Sequence, residues 1–203
     1  MKAFQQIPDT YHECARIDLQ KDKRTSLLVN ILALVTMVLM TMGMTFFRPI
    51  KALFDMSQGL GVYALRFVAL ILGYILYIVL HELTHACMMR LAGGQDVQFG
   101  FTGMYAYAGS EQDYFDKSSY LCIALAPLVI WFILLALLGS VMPPDWFWVV
   151  YLLQMGNVAG SAGDVYVAFR VLPMPKDLLV MDTGVRMMML TKEFRNRSSD
   201  ANE

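Results

Sequence analysis

The sequence predicts an all-α integral membrane fold: four transmembrane helices, with a short β-hairpin-like loop after the second. Three observations point there. Hydrophobic residues make up 57% of the 203 and charged residues only 16%, far from the roughly 45–50% and about 25% of soluble domains. The apolar residues are bunched into runs at 26–46, 63–89, 119–142 and 146–169, each near the about 20 residues needed to cross a bilayer. A soluble bundle of four such helices would need more polar surface than the remaining residues supply.

Taken in order, residues 1–25 form a polar, charge-mixed N-terminal segment. They lack the short apolar stretch and small-residue cleavage site of a signal peptide. Residues 26–170 form the membrane domain and 171–203 a polar tail, of which 178–190 suit the membrane surface. Lys21, Lys23 and Arg24 precede the first run, Arg170, Lys176 and Arg186 follow the last, and the loop 143–145 has no basic residue. The bias of basic residues toward the cytoplasm makes this a multi-pass protein of the cell membrane with both termini cytoplasmic. Arg48, Lys51 and Arg66 stand against that bias. After the second run, Gly93 and Gly94 break the helix, and Val97, Phe99, Phe101, Tyr105 and Tyr107 alternate with smaller or polar residues. That is strand periodicity, with Gly103 placed for a turn. Such a hairpin either plugs the cytoplasmic mouth or offers an edge to an extended peptide. Pro127 should kink the third helix. A net charge of −1 argues against a nucleic-acid partner, and three scattered cysteines imply no disulfide framework.

Within the second run, His81, Glu82 and His85 form H-E-x-x-H. Residues four apart share a helix face, so both imidazoles can reach one metal ion, in this motif zinc. Glu82 lies about 100° from His81, beside the metal without ligating it, where a base acting on water belongs. Ionisable groups in a spanning helix are costly and for that reason usually functional. Haem is excluded, because two histidines one turn apart cannot approach it from opposite faces. Catalytic zinc takes three protein ligands. His12, the remaining histidine, is in the polar N-terminal segment, and the four runs contain no acid besides Glu82 and Asp164. His81 and Asp164 each lie about 27 Å along their runs, at similar depth if both run outside to inside. Asp164 ranks above Cys122 as third ligand, and Cys87 points about 200° away from His85. Asn157 and Asp164, seven apart, share a face, and Gly156, Gly160 and Gly163 thin that helix for close packing.

The segment from about 63 to 169 resembles a family of integral-membrane zincin peptidases and, more distantly, the site-2 proteases, which are intramembrane zinc enzymes. HELTH at 81–85, LAP at 125–127 and NVAGSAGD at 157–164 carry the resemblance. It implies zinc held by His81, His85 and Asp164, Glu82 as general base, and Asn157 holding the substrate carbonyl or its oxyanion. Its departures from the site-2 pattern are Gly163 and Val165 around the aspartate and the lack of proline after Asn157. The expected activity is a zinc metalloendopeptidase acting on membrane-anchored proteins or peptides near the cytoplasmic face. A non-catalytic zincin fold that binds a membrane partner is a second class, and a zinc carrier a third.

Overall fold

Three of the four apolar runs fold as their composition dictates. In the computed structural model, which describes residues 1–18, 21–101 and 106–192, α1 spans Lys23–Thr45, α2 Leu60–Leu91 and α3 Lys117–Val141. Each is long and apolar enough to cross a membrane. Aspartates set two of the starts: Asp22 accepts from the N–H groups of Arg24 and Thr25, and Asp116 from that of Ser119, satisfying donors that a helix start leaves orphaned. With 32 residues, α2 is about 48 Å long, well beyond the roughly 30 Å of hydrocarbon.

The fourth run departs from expectation. It is two helices, α4 Phe147–Gly160 and α5 Ala162–Val171, broken at Ser161. Only three helices among the described residues are therefore long and apolar enough to span. Glycine and serine are weak helix formers, and at Ser161 ψ swings to 8°. Its neighbours still bridge the break, Ser161 N–H to Asn157 C=O and Val165 N–H to Ser161 C=O.

Nor is the protein all-α. The described residues include seven strands: β1 (Ala3–Phe4), β2 (His12–Asp18), β3 (Val97–Phe101), β4 (Ala106–Ser110), β5 (Tyr114–Asp116), β6 (Leu179–Asp182) and β7 (Arg186–Thr191). The expected hairpin is β3–β4, with Phe99 opposite Ala108; Gly103 and Tyr105 lie outside the described residues. The other five form one antiparallel sheet, ordered β1-β5-β6-β7-β2. Residues 178–190, expected to lie along the membrane surface, instead build its centre. Its alternation is legible only with the partner strands known: Met187 and Met189 are buried, and Arg186 faces out. Phe115, Val180 and Met189 from the sheet pack with Met89, Tyr120, Ile123, Val167 and Val171 from the helices in one apolar core. The sheet and hairpin adjoin the start of α1, the end of α2, the start of α3 and the end of α5, so the strands lie at one end of the bundle.

At the other end, Arg66 is 3% exposed. It donates to Gln58 Oε1 at 3.0 Å and lies 4.0 Å from Asp145. Arg48 stacks over the Phe147 ring. These cations are tied to protein partners.

Candidate metal centre

The break at Ser161 puts Asp164 in the first turn of α5, where it meets the last third of α2. His81 Nε2 is 3.3 Å from one Asp164 oxygen and His85 Nε2 is 3.4 Å from the other. All three ligand atoms lie within 4.8 Å of one another. Ligand bonds of 2.0–2.1 Å at tetrahedral angles separate ligand atoms by roughly 3.3 Å, so the spacing suits zinc. His12 is on β2 and Cys122 is exposed on α3; neither joins the cluster.

The hydrogen bonds around the imidazoles fix where their protons are. Asn157 donates its amide N–H to the Leu128 carbonyl at 3.1 Å, which orients its Oδ1 toward Tyr77. The Tyr77 hydroxyl donates to that oxygen at 3.0 Å. Having one proton, it must accept from His81 Nδ1, 2.9 Å away. His85 Nδ1 is 3.0 Å from the Ile123 carbonyl, which can only accept. Both Nδ1 atoms therefore carry hydrogen, and in the neutral rings both Nε2 atoms present lone pairs to the Asp164 carboxylate. Lone pairs facing lone pairs at this distance repel; a proton on Nε2 or a metal cation between the groups relieves this. The donor set fits a divalent metal.

The Ile123 carbonyl is available for a reason written in the sequence. In a helix it would accept the N–H four residues on, but that residue is Pro127, which has none. Pro127 thus leaves free the acceptor that orients His85. Trp131 Nε1 donates to Thr84 Oγ1 at 3.1 Å, tying the motif to α3 on another side. Asn157 is fully buried, its amide engaged with Leu128 and Tyr77. Of the glycines expected to thin the fourth run, Gly156 is the demanding one: a Cβ there would lie 2.4 Å from the Tyr74 ring. Gly160 meets nothing within 4 Å, and Gly163 only Val29 at 4.0 Å.

Glu82 is half-buried, and Ala108 N–H donates to its Oε2 at 3.0 Å. In an antiparallel pair the N–H and C=O of one residue point the same way. The edge of β4 away from β3 therefore faces the site. Against it lies the β6–β7 turn: a Cβ on Gly109 would be 2.2 Å from the Thr183 backbone. Beneath is a cavity of about 90 Å³ whose lining includes Glu82, His85, Asp164, Tyr120 and Asp182.

Sequence reasoning singles out His81, His85 and Asp164, which the structure brings together, and Glu82, which lines the adjoining cavity; it misses what holds them. Tyr77 carried a usable signal, being four residues before His81 on the same helix face, as did Pro127, four after Ile123. Asp182 carried none, because its place depends on the register of a long-range sheet.

A family model described as "Putative zincin peptidase" matches residues 74–179, just over half the chain. That stretch takes in Tyr77, the H-E-x-x-H residues, Pro127, Asn157 and Asp164, and ends before Asp182. Neither the curated proteins nor the solved structures include a match.

Proposed function

Because the chain belongs to this zincin peptidase family, we propose that it is a membrane-embedded zinc metalloendopeptidase of site-2-protease-like design. It hydrolyses peptide bonds of membrane-anchored proteins or peptides near the cytoplasmic face. One observation carries the reading: two imidazole Nε2 lone pairs and a carboxylate converge at 3.3–3.4 Å with the Glu82 carboxylate alongside. The residues that would hold the metal are His81, His85 and Asp164. Zinc, when bound, acidifies water and polarises a carbonyl.

Glu82 takes the proton of the attacking water and returns it to the leaving amine. Ala108 N–H steadies one of its oxygens, leaving the other for proton transfer. Tyr77 and the Ile123 carbonyl hold the imidazoles in the tautomer that leaves Nε2 bare, an arrangement that raises ligand strength. Asn157 in this reading acts through Tyr77, since its amide is already engaged. An extended substrate segment would pair with the site-facing edge of β4; the β6–β7 turn must move aside to admit it. The placement in the membrane is supported by the three apolar helices; cytoplasmic termini require α4 and α5 together to complete a fourth crossing, and the basic residues before α1 and after α5 favour that side.

The test compares membrane proteomes of cells expressing wild type and Glu82→Ala. Fragments present with wild type should vanish with the variant, while purified Glu82→Ala retains zinc. Identical fragments from both would rule out Glu82 as the base.

A further inference from the structure

Asp182 is a buried carboxylate that the chemistry above does not use. It ends β6, is 8% exposed and lies beyond the stretch matched by the family model. One oxygen accepts the Tyr120 hydroxyl at 2.7 Å and the other the Gly184 N–H at 2.7 Å. A carboxylate accepts about four hydrogen bonds, so acceptor capacity remains. Asp182 belongs to the lining of the same cavity as Glu82, His85 and Asp164, along with apolar Ala124 and Val167.

The charge balance is uneven. A divalent ion on His81, His85 and Asp164 offsets the charges of Asp164 and Glu82 and leaves that of Asp182 over. Among the described residues, no lysine or arginine lines the cavity. An unpaired buried charge is costly; burial accordingly pushes the Asp182 carboxyl above the ordinary carboxylate range, against the Tyr120 and Gly184 hydrogen bonds. What the cavity lacks is a positive group, and its apolar walls suit a methylene stem behind one.

We infer that Asp182 is a specificity-determining residue whose carboxylate receives an ammonium group of the substrate beside the scissile bond. On the peptidase reading, which this assignment deepens, the ammonium comes from a lysine side chain or from a free amino terminus.

The test uses the full-length, zinc-loaded protein in detergent and four degenerate peptide libraries. They carry lysine or norleucine at one position, each with the amino terminus free or acetylated. Binding is read by fluorescence anisotropy on Glu82→Gln, which keeps peptides intact, and cleavage by mass spectrometry on the wild type. At least one cationic library should bind roughly tenfold or more tightly than the acetylated norleucine library, a charge-assisted contact being strong. Loss of preference on acetylation would assign the amino terminus; its retention would assign lysine. Asp182→Asn, which keeps an acceptor for Gly184, should collapse the ratio, with zinc content reporting that the centre is still assembled. Equal binding of all four libraries, or a ratio unchanged by Asp182→Asn, would overturn the assignment. Preferential binding without any cleavage would instead sink the peptidase reading and leave the subsite standing.

Discussion

At the scale of single residues, the candidate centre is held in shape by groups outside the His81, His85 and Asp164 cluster. Tyr77 links His81 to Asn157 through two hydrogen bonds of 2.9 and 3.0 Å. Tyr77→Phe removes both and should weaken zinc binding by about 10- to 100-fold, the usual cost of losing such a partner; competition against a chelator measures it. Pro127→Ala gives Ile123 C=O an intrahelical N–H to accept, in competition with His85. We expect weaker zinc binding and a more regular helix: a loss at the metal without a loss of fold, read by chelator titration beside circular dichroism. The H-E-x-x-H residues and Asp164 were legible in the sequence because ionisable groups in apolar runs have few other reasons to be there. The roles of Tyr77 and Pro127 depend on which atom each leaves free, and a pattern of residue types does not reveal that.

Among the elements, close packing of α2 on α4 sets the centre's geometry. Gly156 lies where a Cβ would overlap the Tyr74 ring, whose hydroxyl donates to Leu152 C=O at 2.6 Å. Gly156→Ala should force the helices apart at a cost of about 1–3 kcal/mol, lowering both the melting temperature and the zinc content. The loop after α2 is held by Asp113, which is fully buried and accepts from Asp96 N–H and Ser110 Oγ, each at 2.8 Å. Burial raises its carboxyl, but hydrogen bonds from the Gln95 and Asp96 N–H groups and Ser110 outweigh that and hold it below the usual range. A depressed carboxyl stabilises the fold above its unfolded value, near 3.9, and loses that contribution as pH falls through the folded value. Melting temperatures of wild type and Asp113→Asn should therefore converge on acidification below about pH 4. The three long helices and the β3–β4 hairpin were legible from hydropathy and alternation. The break at Ser161 was masked by the apolar residues on both sides of it, which sustain hydropathy across the interruption.

For the whole molecule, α2 and α5 carry the candidate metal ligands, and a sheet of β1, β2, β5, β6 and β7 packs against the helices beside them. Short strands paired across more than a hundred residues leave little local trace, and methionine-rich β7 has Thr191 as its one β-branched residue, the type that marks strands. Polarity made 1–25 and 171–203 look like tails, although polarity is also what a sheet at the water boundary requires on its outer face. The central claim is that one divalent cation joins α2 to α5 through His81, His85 and Asp164. Metal analysis of purified wild type, Asp164→Ala and Cys122→Ala tests it most directly. The account predicts one zinc ion per chain in wild type and Cys122→Ala and loss of most of it in Asp164→Ala; equal zinc in all three would contradict it.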